Sequence, residues 1–209
     1  MDTADEAAEY DAMNHSAPNQ AFVDRLFELG ARGSMLDVGT GPGHIPLLVC
    51  ERDATARVLG VDLAQHMLDF AERHRRASPH ADRIGYRIAD AKSLDFGDGA
   101  YDVVYSNTIL HHIPDPLPFL AEAHRVMRPG GVLLIRDLFR PETAARVDEI
   151  VELYAGDCTS AQRELFRASL HAALEPDELR EMAAAAGMNG AEVVIDSDRH
   201  MSLQIRAKE

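Results

Sequence analysis

Between residues 34 and 137 the chain alternates short apolar runs with longer helix-like stretches, and few folds accommodate that alternation. The runs lie at 34–38, 57–61, 83–88, 101–105 and 131–135, and the helix-like stretches between them at 43–53, 64–76 and 116–127. Runs this short suit buried strands, whereas the stretches have helical length and spacing. Strand–helix–strand repeats connect in a right-handed sense and build a parallel sheet covered by helices on both faces. The expected class is therefore α/β, with a doubly wound sheet. Each run stops at a glycine or a polar residue. In open sheets of this kind, ligands bind outside the carboxyl ends of the strands. Asp37, Asp62, Asp90, Asn107 and Asp137 fall at those ends, and the expectation is that all five face one crevice.

The flanks read differently. Phe22, Leu26 and Leu29 fall at helical spacing and Gly30 supplies a stop, so 18–29 reads as a helix. After residue 141 the alternation breaks, and 142–154 and 160–173 look like successive helices with no strand between them. A third helix, 176–186, has Pro176 near its start and Gly187 at its end. The stretches 191–195 and 201–206 then read as strands joined by a short link, which suggests an antiparallel pair. The organisation expected is an N-terminal arm and helix over 1–29, then one domain over 30–209 with a helical lid at about 142–174.

Composition narrows the partners. Of 209 residues, 35 are acidic and 21 are Lys or Arg, a net charge of −14. Such a surface repels phosphate backbones and anionic lipid, so neither nucleic acid nor a membrane is expected as partner. No apolar run approaches the roughly 20 residues that span a bilayer. The acidic start lacks the basic and apolar regions of a secretion signal, so a soluble cytoplasmic setting is expected. Two cysteines, Cys50 and Cys158, make no disulfide framework or zinc cluster. Cys50 is expected in the core and Cys158 in the lid.

The turn after the first run, Leu36-Asp37-Val38-Gly39-Thr40-Gly41-Pro42-Gly43, leads from a strand into a helix. Its glycines let a ligand approach the backbone closely. No Lys-Ser/Thr follows Gly43, so it is not a phosphate loop of the P-loop kind. The spacing is G-x-G-x-G, with His44 in place of the last glycine of the dinucleotide fingerprint. No Tyr-x-x-x-Lys catalytic set is recognisable, and both points disfavour a nicotinamide reductase. A carboxylate such as Asp37 at the end of a buried strand is costly unless it finds hydrogen bonds or a cation. A cationic ligand would make it sensible.

These residues resemble the class I S-adenosylmethionine-dependent methyltransferases. The Asp37–Gly43 loop resembles the family's first motif. Asp62 resembles the acidic residue that takes the ribose hydroxyls, and Leu63 and Met67 the residues flanking the adenine. Asp90-Ala91 resembles the pair that meets the adenine amine and ring. Ser106-Asn107 with Ile109-Leu110-His111-His112-Ile113-Pro114-Asp115 resembles the fourth motif of small-molecule members. Arg128-Pro129-Gly130-Gly131 is a further mark. The resemblance covers about 30–140. It implies a Rossmann-like, seven-stranded sheet in the order 3-2-1-4-5-7-6, antiparallel at the last strand, with the lid inserted after strand 5.

The resemblance also implies S-adenosylmethionine as cofactor and SN2 transfer of its methyl group to a small organic acceptor. The donor site would comprise Asp37, Gly39, Thr40, Gly41, Gly43, Asp62, Leu63, Met67, Asp90, Ala91 and Asn107. Because transfer neutralises a sulfonium cation, carboxylates should hold the ends of the donor rather than its reactive methyl. The catalytic candidates on the acceptor side are Asn107, His111 and Asp137. An ordinary imidazole titrates in the range that suits a general base, though one of His111 and His112 is expected to pack or start a helix instead. Tyr10, Arg140, Tyr154, Arg199 and His200 are weaker candidates for the acceptor pocket. No metal set is expected. Tyr10-Asp11-Ala12-Met13-Asn14 resembles a segment of the ubiquinone/menaquinone C-methyltransferases. A donor-binding subunit without activity is the alternative, and a monomer or homodimer is expected.

Overall fold

The alternating runs pair side by side in one sheet of seven strands. A computed structural model of the chain describes residues 7, 8, 11 and 16–208. The strands are β1 (Ser34–Val38), β2 (Arg57–Asp62), β3 (Ile84–Ile88), β4 (Tyr101–Asn107), β5 (Met127–Leu138), β6 (Glu192–Ile195) and β7 (His200–Ile205). Their order is β3-β2-β1-β4-β5-β7-β6. The first five are parallel, and β7 runs antiparallel to both β5 and β6. Order and directions are those that the sequence implies. The helices are α1 (Ser16–Glu28), α2 (His44–Arg52), α3 (Gln65–Ala77), α4 (Leu117–Val126), α5 (Ala144–Ala155), α6 (Ser160–Ala172) and α7 (Pro176–Ala185). None in the described residues is long and apolar enough to cross a membrane.

Strand side chains alternate between faces, so each continuous apolar run divides into two cores. Leu36 and Val38 of β1, Val104 of β4 and Leu133 and Ile135 of β5 pack with Phe119, Leu120 and Ala123 of α4 and Leu179 and Ala183 of α7. On the opposite face, Met35, Val103, Tyr105 and Leu134 pack with Phe22 and Leu26 of α1 and Ile45 and Val49 of α2. The central strand β1 is covered on both sides and registers with β2 and β4, setting Asp37 across from Gly60 and Tyr105.

One element differs in length from its expectation. β5 begins at Met127 rather than at residue 131, and its register with β4 shifts between Tyr101 and Val103. Extra β5 residues, Pro129-Gly130-Gly131 among them, are taken up across that step, so the segment continues the strand instead of ending the helix.

After β5 the chain forms the two-helix insertion. Thr143 caps α5 by accepting from the Arg146 N–H, and Thr159 with Gln162 makes a capping box at α6. Val147, Ile150 and Val151 of α5 and Leu170 of α6 form a third small core with Leu138. That core seats the insertion at the carboxyl edge of the sheet, and α6 packs on the 3-10 turn Leu110–His112.

Phe119 is fully buried between α4 and the sheet, whereas Leu153 is 68% exposed. Phe119→Ala is expected to cost about 3–5 kcal/mol in urea unfolding, and Leu153→Ala less than about 0.5. Equal effects would contradict this division of core from surface.

Candidate functional site

The site is built around the turn that follows β1. The Gly39 and Thr40 N–H groups both donate to the Val61 carbonyl, at 2.8 and 3.0 Å, which folds the turn over the end of β2. Gly39 sits at φ +75°, and a Cβ there would lie 2.4 Å from Ile109 Cγ2, so only glycine fits. Asp37 turns inward and is 2% exposed, accepting from Thr40 Oγ1 at 2.7 Å. Burial raises its pKa from 3.8 to about 7, opposed by the Thr40 hydrogen bond and aided by the charge of Asp62. Asp62 braces the turn from the next strand: Gly41 N donates to its Oδ2 and Ala64 N to its Oδ1, each at 2.9 Å. A carboxylate has about four lone-pair sites, so each oxygen can accept once more.

Beside this turn lies a cavity of about 430 Å³. Leu63, Met67, Ala89, Ala91, Ile109, Ile113 and Pro114 make its apolar wall, and Gly39 and Gly41 its backbone edge. Leu63 is 67% exposed, an unusual position for a leucine. The polar groups are Asp62, Asp90, Lys92, Asn107, Thr108 and His112. Asp90 accepts from Lys92 N at 2.9 Å and pairs with its Nζ at 3.1 Å, and these contacts hold its carboxyl below the usual range. Asn107 Oδ1 accepts from Arg136 Nε at 3.0 Å, which leaves the amide nitrogen as the group it offers the cavity. Thr108 holds φ +65° while its N–H donates to Arg136 O. That is a strained conformation for a β-branched residue, of the sort found at ligand sites.

Asp137 and the histidines form a second group. Asp137 is 2% exposed and accepts from Leu110 N at 2.5 Å, Leu138 N at 2.6 Å and His111 Nδ1 at 2.6 Å. A carboxylate only accepts, so the His111 proton sits on Nδ1 and the lone pair of the neutral ring on Nε2. The His111 side chain is nearly covered, and its ring tilts against that of His112 with centroids 4.0 Å apart. Burial and the adjacent His111 push the His112 pKa down, so His112 is neutral at pH 7.

The structure thus divides the expected set. Asp62, Asp90, Asn107, Leu63, Met67, Ala91, Gly39 and Gly41 line the cavity. Asp37 and Asp137 do not face it, contrary to the expectation of one crevice: both lie beneath, and each organises a loop. Thr40 and Gly43 also stand outside the lining, Thr40 on Asp37 and Gly43 against Tyr86 Oη and Ala71. His112, rather than His111, is in the wall. Of the weaker candidates, Tyr10 lies outside the described residues. Arg140 pairs with Glu175 and Glu178. Tyr154 donates to Asp198 and carries the Arg199 guanidinium over its ring, while burial lowers the pKa of His200 to about 4. Arg140, Tyr154, Arg199 and His200 all lie outside the cavity lining. Cys50 is buried and Cys158 exposed. Lys92, Thr108 and Arg136 escaped the sequence reading, since none has a spacing signal beyond its proximity to a strand end.

A family model described as a methyltransferase domain matches residues 36–135, the segment that builds the turn and most of the cavity. Over this segment the chain resembles the class I S-adenosylmethionine-dependent methyltransferases. It is 31% identical over 172 residues to a 27-O-demethylrifamycin SV methyltransferase of Amycolatopsis mediterranei, a match covering 77% of this chain and 62% of that one. It is 27% identical over 121 residues to a ubiquinone/menaquinone biosynthesis C-methyltransferase of Geobacter sp. strain M21, covering 57% and 52%. The fold also matches an S-adenosylmethionine-dependent methyltransferase from Aquifex aeolicus, with TM-score 0.71, 17% identity and 97% of each chain covered. The chain spans 29 to 62% of the length of the first curated relatives it matches.

A turn that holds a protonated Asp37 has a consequence for stability. The folded pKa of Asp37 lies above its unfolded value, so its contribution to stability is present at low pH and falls as pH rises from about 4 to about 7. His200, with a lowered folded pKa, acts in the opposite sense between about 4 and 6.5, so a variant comparison is needed. Relative to wild type, Asp37→Asn is expected to gain on the order of 2 kcal/mol in unfolding free energy between pH 5 and pH 8. A constant difference across that range would contradict a protonated Asp37.

Proposed function

We propose that this chain transfers a methyl group from S-adenosylmethionine to a small organic acceptor. The observation that carries the reading is the cavity itself, a nucleoside-sized space bounded by a glycine turn, a braced carboxylate and an exposed leucine. The residues fit the donor. A Cβ on Gly41 would meet no atom within 4 Å, so the cavity edge there is backbone, open to a close ligand. Asp62 retains acceptor sites for ribose hydroxyls. Leu63 and Met67 supply apolar surface for the adenine, and Asp90 with the Ala91 N–H supplies an acceptor and a donor for its edge. A cationic ligand near the turn would favour ionised Asp37, which bonds Thr40 Oγ1 and thereby tightens the turn.

When bound, the donor supplies an electrophilic methyl on a sulfonium centre. The chain supplies position, dryness and a proton acceptor. Asn107 offers its amide at the edge of the cavity. Helix α6 of the insertion, the lid in this reading, packs on the turn that carries His111 and excludes water from it. Asp137 holds Nδ1–H of His111, so Nε2 is the atom that takes a proton from the acceptor's hydroxyl or amine, and Asp137 then stabilises the imidazolium. His112, kept neutral, adds no opposing charge. The net charge of −14 supports a small acceptor over a nucleic acid and suits a soluble protein of the cytoplasm, as monomer or homodimer. The relatives named above are a 27-O-demethylrifamycin SV methyltransferase and a ubiquinone/menaquinone biosynthesis C-methyltransferase, and their breadth supports a small organic acceptor without selecting one.

The test is product analysis with methyl-labelled donor and a panel of phenols, amines and quinone precursors. Label should pass to an acceptor, and no transfer to any class would overturn the reading. With a working acceptor, His111→Ala is expected to lower kcat by about 10²–10⁴-fold and to abolish the acidic limb of its pH profile, with donor affinity retained. Unchanged turnover and pH profile would remove His111 from the chemistry.

A further inference from the structure

The sequence reading expects no metal set, but the fold brings one together outside the donor cavity. His44 opens α2 directly after the glycine turn, and His74 lies in the last turn of α3. Asp11, from the N-terminal segment, reaches both. Its Oδ1 stands 3.1 Å from His44 Nε2 and 3.4 Å from His74 Nε2. The three ligand atoms all lie within 4.8 Å of one another, and the two imidazoles stack with centroids 4.8 Å apart and planes at 28°.

Hydrogen bonding leaves one atom of this convergence unexplained. Asp11 Oδ1 is completely buried, yet among the described residues no donor reaches it with hydrogen-bond geometry. A buried carboxylate oxygen left so is costly and calls for a cation. His74 Nδ1 lies 2.9 Å from the Pro42 carbonyl. A carbonyl only accepts, so Nδ1 carries the proton and the neutral ring turns the lone pair of Nε2 toward Asp11. Two acceptors facing each other repel, unless an electron-pair acceptor stands between them. A second ring nitrogen fixed by a backbone carbonyl is also the usual way a metal-binding histidine is oriented. The spacing agrees: ligands about 2.1 Å from a tetrahedral ion stand about 3.4 Å apart.

We propose that Asp11, His44 and His74 bind a divalent transition metal of the zinc class. Two imidazole nitrogens and one carboxylate oxygen suit that class and leave a fourth tetrahedral position for water. The two histidines border a groove of about 380 Å³ with Glu51 and His80, which gives the ion a path in. The site is a clasp. It ties Asp11 to α2 and α3 and, through the His74–Pro42 bond, to the glycine turn. It stands whether or not the chain transfers methyl groups.

The test is titration of chelator-treated full-length protein with Co²⁺ and Zn²⁺, followed by visible cobalt absorption and by calorimetry. One equivalent should bind at micromolar Kd or tighter, with the strong absorption of tetrahedral cobalt. Asp11→Asn and His74→Ala should each weaken binding at least tenfold, and His66→Ala, at an exposed histidine outside the cluster, should not. Asp11→Asn is nearly isosteric and removes a single charge, so it stays informative if His74→Ala fails to fold. Absence of stoichiometric binding would leave a histidine–aspartate ion pair and overturn the site. Binding that Asp11→Asn and His74→Ala leave unchanged would overturn it equally.

Discussion

A strand buried on both faces has no room for an unsatisfied charge, and β1 carries Asp37 one residue from its end. The structure resolves that conflict with a turn. The Thr40 hydroxyl returns over the carboxyl, Gly39 permits the reversal, and the Gly39 and Thr40 amides are anchored on Val61. Burial still dominates, so the carboxyl holds its proton to about pH 7. The turn that hides Asp37 is the same turn that presents Gly39 and Gly41 to the cavity. Neutralising a buried acid and building a ligand edge are one structural event here.

Parallel pairing then assigns different work to residues of one type. Asp62 ends β2 and Asp90 follows β3 at the cavity, and each accepts from backbone N–H groups with acceptor sites to spare. Asp137 ends β5 one strand further across and is buried, so all its observed bonds are internal: two to amides and one to His111. Its side-chain partner is the His111 imidazole. The same side chain therefore braces, binds or orients according to which strand ends beneath it. The insertion α5–α6 closes over that last arrangement through a core of its own.

The fold was legible because apolar alternation is a property of whole segments. Nearly every strand and helix lies within two residues of its expected bounds, the exception being β5, longer at both ends; at its start Pro129-Gly130-Gly131 has the composition of a turn yet continues a strand. The donor turn and Asp62 were legible because glycine spacing and a strand-ending acid are local marks. Side-chain direction was not. In a strand it reverses at every residue, so Asp37, one step before Val38, points into the protein although it shares the strand end. In the 3-10 turn Leu110–His112 neighbouring side chains diverge by about a third of a turn, which sends His112 to the cavity and His111 to Asp137. Arg136, Lys92 and the Asp11–His44–His74 cluster arise from tertiary proximity, which no spacing encodes.

In the proposed function the cavity beside the β1 turn holds a sulfur nucleoside, with Asp62 both bracing the turn and gripping the ligand. Calorimetric titration of the full chain with S-adenosylhomocysteine, in parallel with NADH, tests it most directly. Wild type is expected to bind S-adenosylhomocysteine at roughly micromolar Kd and NADH not at all, with Asp62→Ala weaker by about 1–3 kcal/mol. Absence of S-adenosylhomocysteine binding, or affinity untouched by Asp62→Ala, would contradict the account.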